Sequence, residues 1–507
     1  MNEFQQAIGD EAAKLIGRFE IYARDLADEQ VRRRRRTTAP GPPLRLLRPA
    51  YWSLAPGFNP YLVRARKEQI AHAIQRSVRL RTYRPRNAIG YEIDKPDGSL
   101  RQVAVFQVAD NAVSRRVFTS LLAKNRAKLS ARSYAYRDDI TAHDAIQYIR
   151  TEFESRDRLF IAEYDFSAFF DTIDHEHIWR TIRDQHFLLT NAEQKVIAAF
   201  LEAPTIPVAG YQERGGPVRK KGVPQGTSIS LFLANLAAWP LDRILENLGV
   251  GFVRYADDTL IWSSDYVRIC AAADALFEQS RAMGSEVNAN KSKGIRLLSK
   301  QGIVVELPGT TSIEFLGYKL ALGSAEMRDA AVAKVKRRLL ELLYFNLLYE
   351  PQRGTQQPER LSGRVDRDYV VFIWQARRFL YGDLSEVELR RFQGDDVPLR
   401  RFKGLMAYYP LIDDTPTLRA LDAWLATQTW LTLRKRAFLL GAANFKLLPA
   451  PHGLSRNELI RYRRKSRSTG GVLDLRIPSF RRMASVMRRA ATQHGPNQTG
   501  RKPEYVY

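Results

Sequence analysis

The stretch that most constrains this chain is GFVRYADDTLIW, Gly251–Trp262. Two adjacent aspartates, Asp257 and Asp258, separate two short apolar runs. Runs rich in β-branched and aromatic residues around polar punctuation predict buried strands, so the pattern reads strand, turn, strand. A turn that needs only a polar residue is more readily made by Asn-Gly or Asp-Gly. Neighbouring carboxylates also repel each other. The pair is therefore either a solvated turn or a holder of a cation. A second Asp-Asp, Asp138 and Asp139 in SYAYRDDITAHD, has polar, helix-like flanks, with Thr141 placed to cap the helix that follows. Those two read as turn and capping acids. Placement between apolar strands is what sets Asp257 and Asp258 apart.

A third acid belongs with them. In FIAEYDFSAFF, Phe160–Tyr164 reads as a core strand that ends at Asp165. A carboxylate at a strand end is held rigidly at the rim of a sheet. Alone it would read as a cap for the next helix. Beside a strand pair presenting Asp257 and Asp258, it reads as one member of a converging acid cluster. Such clusters are costly unless a cation neutralises them. Hard oxygen donors suit Mg²⁺, which takes only one or two protein carboxylates per ion.

The net charge supports a polyanionic partner. The chain carries 80 Lys and Arg against 55 Asp and Glu, a formal charge of +25 over 507 residues. The excess is uneven: residues 431–507 hold 17 basic residues and three acids, and Arg32–Arg36 are a run of five arginines. Nucleic acid is the first reading of such a balance and an acidic membrane the second. No apolar run approaches the roughly 18 residues of a membrane span, and the N-terminus is too acidic for a signal peptide. A single cysteine, Cys270, rules out a disulfide framework or a Cys-rich zinc site and suits a reducing cytoplasm.

The order of elements read along the chain is hairpin, helices, strand, helices, strand pair, helix, strand. This is an α+β pattern with helices on one face of a mainly antiparallel sheet. Residues 1–31 read as an amphipathic helix, followed by a basic, Pro-rich connector. Residues 61–80 read as one helix, AIGYEIDKPDGSLRQVAVF as a hairpin and SIEFLGYKLAL as one strand. Beyond about residue 325 the chain reads as helical and basic.

At this point the motifs resemble a family. YADD in this setting is similar to the signature of reverse transcriptases, and its neighbours follow in the same order. EYDFSAFFDTIDHEHI resembles their first palm motif, and GVPQGTSISLFLANLAAWPLD their Pro-Gln-Gly motif. NANKSKG and EFLGYKL resemble their lysine and primer-grip motifs. Upstream, IDKPDGSLRQVAV resembles the finger hairpin, and SYAYRDDITAHDAI a finger-to-palm segment of group II intron and retron enzymes. The resemblance spans residues 60–320. It implies a right-hand polymerase of fingers and palm followed by a helical thumb and C-terminal region. The implied divisions are 1–60 for an N-terminal extension, 61–160 for fingers, 161–324 for palm, 325–430 for thumb and 431–507 for a basic RNA-binding region.

The resemblance also implies roles. Asp165, Asp257 and Asp258 would be the catalytic acids and Mg²⁺ ligands, with the Phe166 carbonyl a further oxygen. Phe170 would be a steric gate that favours dNTPs over rNTPs. Gln225 and Gly226 would border the nascent pair, Lys95 and Arg101 would grip the triphosphate, and Lys291 or Lys293 would assist pyrophosphate departure. Phe315, Leu316 and Gly317 would hold the primer end. The absence of an RNase H-like acid cluster and of a Cys/His endonuclease leaves an outline like the bacterial defence-associated (unknown-group or abortive-infection) enzymes. Expected partners are then a structured non-coding RNA template, dNTPs and a DNA product, with no membrane. The C-terminal surface helices suit a homo-oligomer as well as internal packing. The alternatives are an intron- or retron-type enzyme of a mobile or satellite element, template-independent DNA synthesis, and a non-catalytic RNA-binding scaffold.

Overall fold

The computed structural model describes residues 3–94, 100–290, 292–302, 308–413, 415–445, 447–465 and 472–501. Five helices and a hairpin open the chain: α1 (Glu3–Arg36), α2 (Pro60–Ala65), α3 (Lys67–Arg79), strands β1 (Ala88–Asp94) and β2 (Leu100–Val105), α4 (Val108–Asn125) and α5 (Ala142–Glu154). Next come β3 (Arg158–Tyr164), α6 (Phe169–Thr172), α7 (His175–Asp184), α8 (Asn191–Glu202), β4 (Thr205–Pro207) and α9 (Ser228–Asn247). The hairpin β5 (Gly251–Tyr255) and β6 (Asp258–Ser263) leads to α10 (Tyr266–Ala282), β7 (Gly294–Ser299), β8 (Gly309–Thr310), β9 (Ile313–Phe315), β10 (Tyr318–Ala321) and β11 (Ser324–Met327). The remainder is mainly helical: α11 (Asp329–Leu343), α12 (Tyr349–Arg353), α13 (Arg367–Tyr381), α14 (Glu386–Gly394), α15 (Pro416–Ala442), α16 (Arg456–Arg461), the short pair β12 (Arg463–Lys465) and β13 (Val472–Asp474), α17 (Phe480–His494) and α18 (Pro496–Thr499).

The organising element is a five-stranded sheet in the order β5-β6-β3-β7-β8, antiparallel except for β7 with β8. Side chains alternate across a strand, and here both faces are covered. Ala162, Tyr164, Phe252 and Ile261 join the core built with α4, α9 and α10. Leu159, Ile161, Val253, Leu260 and Trp262 join a second core with α5, α11, α13, α15 and α17. Burial of both faces explains the consecutive apolar residues Phe160–Ala162 and Leu260–Trp262, since neither face there needs polar residues. The expectation of helices on one face only is thus corrected: the C-terminal helices cover the other.

Several local expectations also change. The arginine run is the end of α1 and not part of a connector. Arginine is a good helix former, and cations are favoured at a helix C-terminus. Glu29 pairs with Arg32 at 2.5 Å and with Arg33 at 3.1 Å. At 1.5 Å per residue α1 is about 51 Å long, and it ties the first core to the C-terminal helices. Ile8 and Ala12 are buried in the first core, while the Thr38 N–H donates to the Thr355 carbonyl at 2.9 Å. The helix expected over 61–80 breaks at Arg66 into α2 and α3. The strand expected over SIEFLGYKLAL folds back on itself as β9 and β10. The second of the two turn residues is Gly317, at φ +85°. The division expected at residue 431 falls inside α15, which runs unbroken through it. Thr141 does cap α5, in a capping box with Asp144.

Candidate functional site

The sheet register brings the three acids together. Tyr164 of β3 pairs with Thr259 of β6, so the next residue, Asp165, stands level with Asp258. Tyr255 pairs with Asp258 across the β5–β6 hairpin, which leaves Ala256 and Asp257 as its two-residue turn. Asp165 is fixed from behind: its N–H donates to the Ser292 Oγ at 3.3 Å, and its carbonyl accepts from the Asn288 N–H at 2.8 Å. All three aspartates line one cavity of about 420 Å³.

The turn is held under strain. Ala256 has φ +60°, a region that costs a residue with a Cβ roughly 1–2 kcal/mol and that hairpin turns usually give to glycine. Arg254, only 1% exposed, compensates. Its guanidinium donates to both oxygens of Asp242 on α9, at 2.7 and 2.6 Å, and to the Ser133 Oγ at 2.8 Å. It also donates to the Ala256 carbonyl at 3.1 Å, the peptide that leads into Asp257. Burial, the largest influence on Asp242, raises its pKa above the usual carboxylate range despite the Arg254 charge. Sequence reasoning missed Arg254 and Asp242. The available signal was a cation inside an apolar strand, which requires a buried partner.

Phe315, Leu316 and Gly317, the turn of the β9–β10 hairpin, line the same cavity, as do Glu163, Lys293, Glu314 and Arg328. Leu316 and Gly317 both have positive φ, +47° and +85°. Lys293 lies 3.4 Å from the Glu163 Oε1, and Arg296 also pairs with Glu163.

The remaining sequence candidates gather in a second cluster outside that cavity. The Phe170 ring is buried edge-on against Tyr136, with centroids 6.2 Å apart, and against Phe169. The Phe170 carbonyl accepts from the Val223 N–H at 2.6 Å. Arg101 Nε donates to the Gln225 Oε1 at 3.0 Å, and Gln225 Nε2 donates to the Asp171 Oδ2 at 2.9 Å. The β1–β2 hairpin, the Pro-Gln-Gly loop and the residue after Phe170 are thereby tied together. Gly226, at φ +129°, lies so close to the hairpin that a Cβ there would sit 2.3 Å from the Ala104 carbonyl oxygen. Phe166 forms an isolated antiparallel bridge with Val287 and stacks on Phe169 at 5.4 Å. Lys95 and Lys291 lie outside the described residues.

The donor set is chemically suited to a hard divalent cation: carboxylates at a strand end and a turn, open to the cavity. Among the described residues, no three His, Cys, Asp or Glu side chains are drawn close enough to hold a metal ion by themselves.

Residues 93–320 match the reverse transcriptase (RNA-dependent DNA polymerase) family. This segment is similar to reverse transcriptase domains. It contains all three acids, the second cluster and the whole five-stranded sheet, and every residue named for the first cavity except Arg328. The chain is 26% identical over 172 residues to Protein YkfC of Escherichia coli, a match covering 32% of this chain and 42% of that protein. It is 28% identical over 164 residues to the putative COX1/OXI3 intron 1 protein of Saccharomyces cerevisiae, covering 31% of this chain and 18% of that one. The chain thus spans less than half the length of either relative. Among solved structures, apo telomerase from Candida tropicalis superposes with a TM-score of 0.40 at 11% identity, over 82% of this chain and 64% of that one. The RNA-dependent RNA polymerase of a human picobirnavirus gives 0.32 at 15% identity, over 47% and 43%. The similarity to reverse transcriptases rests on the sequence match and not on these superpositions. Among the described residues no helix is long and apolar enough to cross a membrane.

Proposed function

We propose that this protein is an RNA-directed DNA polymerase that extends a 3′-OH with dNTPs. The observation that carries the reading is the register of β3 on β6. It sets Asp165 level with Asp258, beside Asp257, in one cavity with the Phe315–Gly317 turn. In this reading the β1–β2 hairpin and its helices act as fingers, the five-stranded sheet as palm, and the helices from α11 onward as thumb.

Asp165, Asp257 and Asp258, with the Phe166 carbonyl, would hold two Mg²⁺. When bound, such ions neutralise charge on the attacking and leaving oxygens of an in-line displacement. The chain's own contribution is positioning. The Phe315–Gly317 turn seats the primer end. Arg101 and Lys95 grip the triphosphate, and Gln225 and Gly226 border the nascent pair. Phe170, wedged by Tyr136 and Phe169, holds its ring where a 2′-OH would collide. Lys291 or Lys293 would assist pyrophosphate departure.

The basic balance of the chain favours an RNA template, since phosphate contacts supply affinity without reading sequence. The outline, a polymerase core followed by a basic helical region and a single cysteine, supports the finer reading: an antiphage defence enzyme of the bacterial cytoplasm working on a structured non-coding RNA. A second reading, service to a mobile element, is favoured by the similarity to the yeast intron 1 protein. Sequencing the nucleic acid that co-purifies with wild type and with Asp257→Ala, after incubation with Mg²⁺ and four dNTPs, separates the readings. New DNA complementary to one bound RNA, in wild type alone, is expected, and the RNA's identity distinguishes a defence locus from an intron. Equal RNA and no new DNA in both samples would refute polymerisation.

A further inference from the structure

We infer that Arg328 is a positioning residue that clamps a backbone phosphate at the 3′ end of the primer strand. This rests on the polymerase reading of the cavity and adds a residue to it.

Arg328 sits at a junction. β10 pairs with β11 with Tyr318 opposite Met327, so the next residue, Arg328, abuts Gly317. The Arg328 N–H donates to the Gly317 carbonyl at 3.3 Å. Its side chain thus rises beside the turn proposed to seat the primer, in the cavity that holds Asp165, Asp257 and Asp258.

Among the described residues, five carboxylates line that cavity, with Glu163 and Glu314 joining the three aspartates, as do two cations, Lys293 and Arg328. Lys293 is engaged by Glu163. Among the described residues the Arg328 guanidinium makes no ion pair and no side-chain hydrogen bond. It has not collapsed onto any of the five acids.

Local propensity also argues that Arg328 is not there for the helix. It occupies the N-cap of α11 and provides no side-chain cap. Ser, Thr, Asp or Asn is preferred at that position, and a cation lies at the wrong end of the helix dipole. A residue that breaks two local rules without a compensating contact marks a functional position. An arginine fork suits phosphate oxygens. The phosphate is the primer's and not the triphosphate's because Arg328 borders the Phe315–Gly317 turn, whereas Arg101 and Gln225 lie outside this cavity.

The test measures binding of a labelled primer–template by fluorescence anisotropy in Mg²⁺ without nucleotide, and single-nucleotide extension on the same duplex. Arg328→Ala is expected to weaken binding about tenfold and to lower the slope of log K against log salt by about one. KM for dNTP should stay within about twofold. Arg328→Lys should restore the salt slope and only part of the affinity, because a point charge replaces the fork. An unchanged Kd for Arg328→Ala, with circular dichroism like wild type, overturns the inference. So does a raised KM for dNTP at unchanged Kd, which would make the ligand a triphosphate. If Arg328→Ala binds more weakly but wild type extends nothing, the clamp stands and the polymerase reading falls.

Discussion

Arg254 in the sheet and Arg436 on α15 are both sealed from solvent, at 1% and 0% exposure, yet they are built into different surroundings. Arg254 faces one carboxylate, Asp242, and donates a further hydrogen bond to the Ala256 carbonyl in the β5–β6 turn. Arg436 binds two carboxylates, Asp366 and Asp368, at 2.8 Å each, and His452 adds a contact to Asp366 at 2.9 Å. Burial pushes the Asp242 pKa up, and it is also the largest single influence on Asp366. There, however, the Arg436 and His452 contacts together outweigh it and hold Asp366 below the usual range. Asp110 in the first turn of α4 follows Asp242. Burial raises it to about 6, although the Tyr83 hydroxyl donates to it at 2.6 Å. Around Asp242 and Asp110, burial thus outweighs the nearby cations, whereas around Asp366 the cations outweigh burial.

Substitutions can break this contrast. The largest effect is expected from Asp165→Ala or Asp257→Ala, which should lower primer extension at least about a hundredfold while leaving the melting temperature near wild type. Calorimetry beside an extension assay checks both halves. Next, Arg254→Met and Arg436→Met should each cost roughly 3–5 kcal/mol by leaving buried acids unpaired. Adding Asp242→Leu to Arg254→Met should restore stability but not activity, because the Ala256 carbonyl still lacks its donor. Arg436→Met, assayed below its lowered transition, should extend primers like wild type. Equal activity in the two arginine variants would erase the distinction.

Gly226→Ala should follow, with a loss of about 1–3 kcal/mol and slower extension, since its Cβ would push the Ala104 carbonyl and the finger hairpin aside. A pH series sharpens the comparison further. Asp110 holds its proton in the folded protein up to about 6 but loses it near 3.8 when unfolded. It therefore stabilises the first core as pH falls from 6 toward 4. Asp366 works the other way: its contribution is present above its ordinary pKa and is lost as pH falls below it. Hydrogen exchange at pH 7, 5 and 3 should show protection in α4 rising first and protection in α13 and α15 collapsing last. Loss of protection in α13 already at pH 5 would contradict the assignment. The smallest effect is Ala256→Gly, which should add about 1 kcal/mol of stability by relieving the positive φ and slightly slow extension by loosening the turn.

Much of the site was legible because it is local. Asp257 sits in a turn, and Asp258 directly after it, between flanks that announce themselves as strands, and Asp165 follows a strand that does the same. Period, apolar content and turn residues are short-range properties, and the polymerase motifs are contiguous segments. The hairpin β1–β2 and the capped helix α5 were visible for the same reason. SIEFLGYKLAL was misread because its turn is only two residues long and lies between apolar runs that look continuous. The arginine run was misread because its helical partner, Glu29, lies one turn back, where a charge run alone suggests solvation.

The C-terminal region shows the other limit. Its basic composition suggested a separable RNA-binding tail. Yet Phe480, Met483 and Met487 of α17 lie in the core beneath the sheet, and Arg482 is paired with Glu386 at 2.6 Å. An RNA-contact test there must therefore replace surface arginines, because deletion would remove part of the core.

The sequence by itself determined the strands, the turn acids and the order of the polymerase motifs, since each is written in neighbouring residues. Only the tertiary structure decided that Asp165 faces Asp258, that Asp242 on α9 neutralises Arg254, and that Arg328 comes to rest against Gly317. Those pairings depend on strand register and helix packing between segments far apart in the chain. Such long-range contacts are selected by the shape and charge of a shared core, which no local window contains.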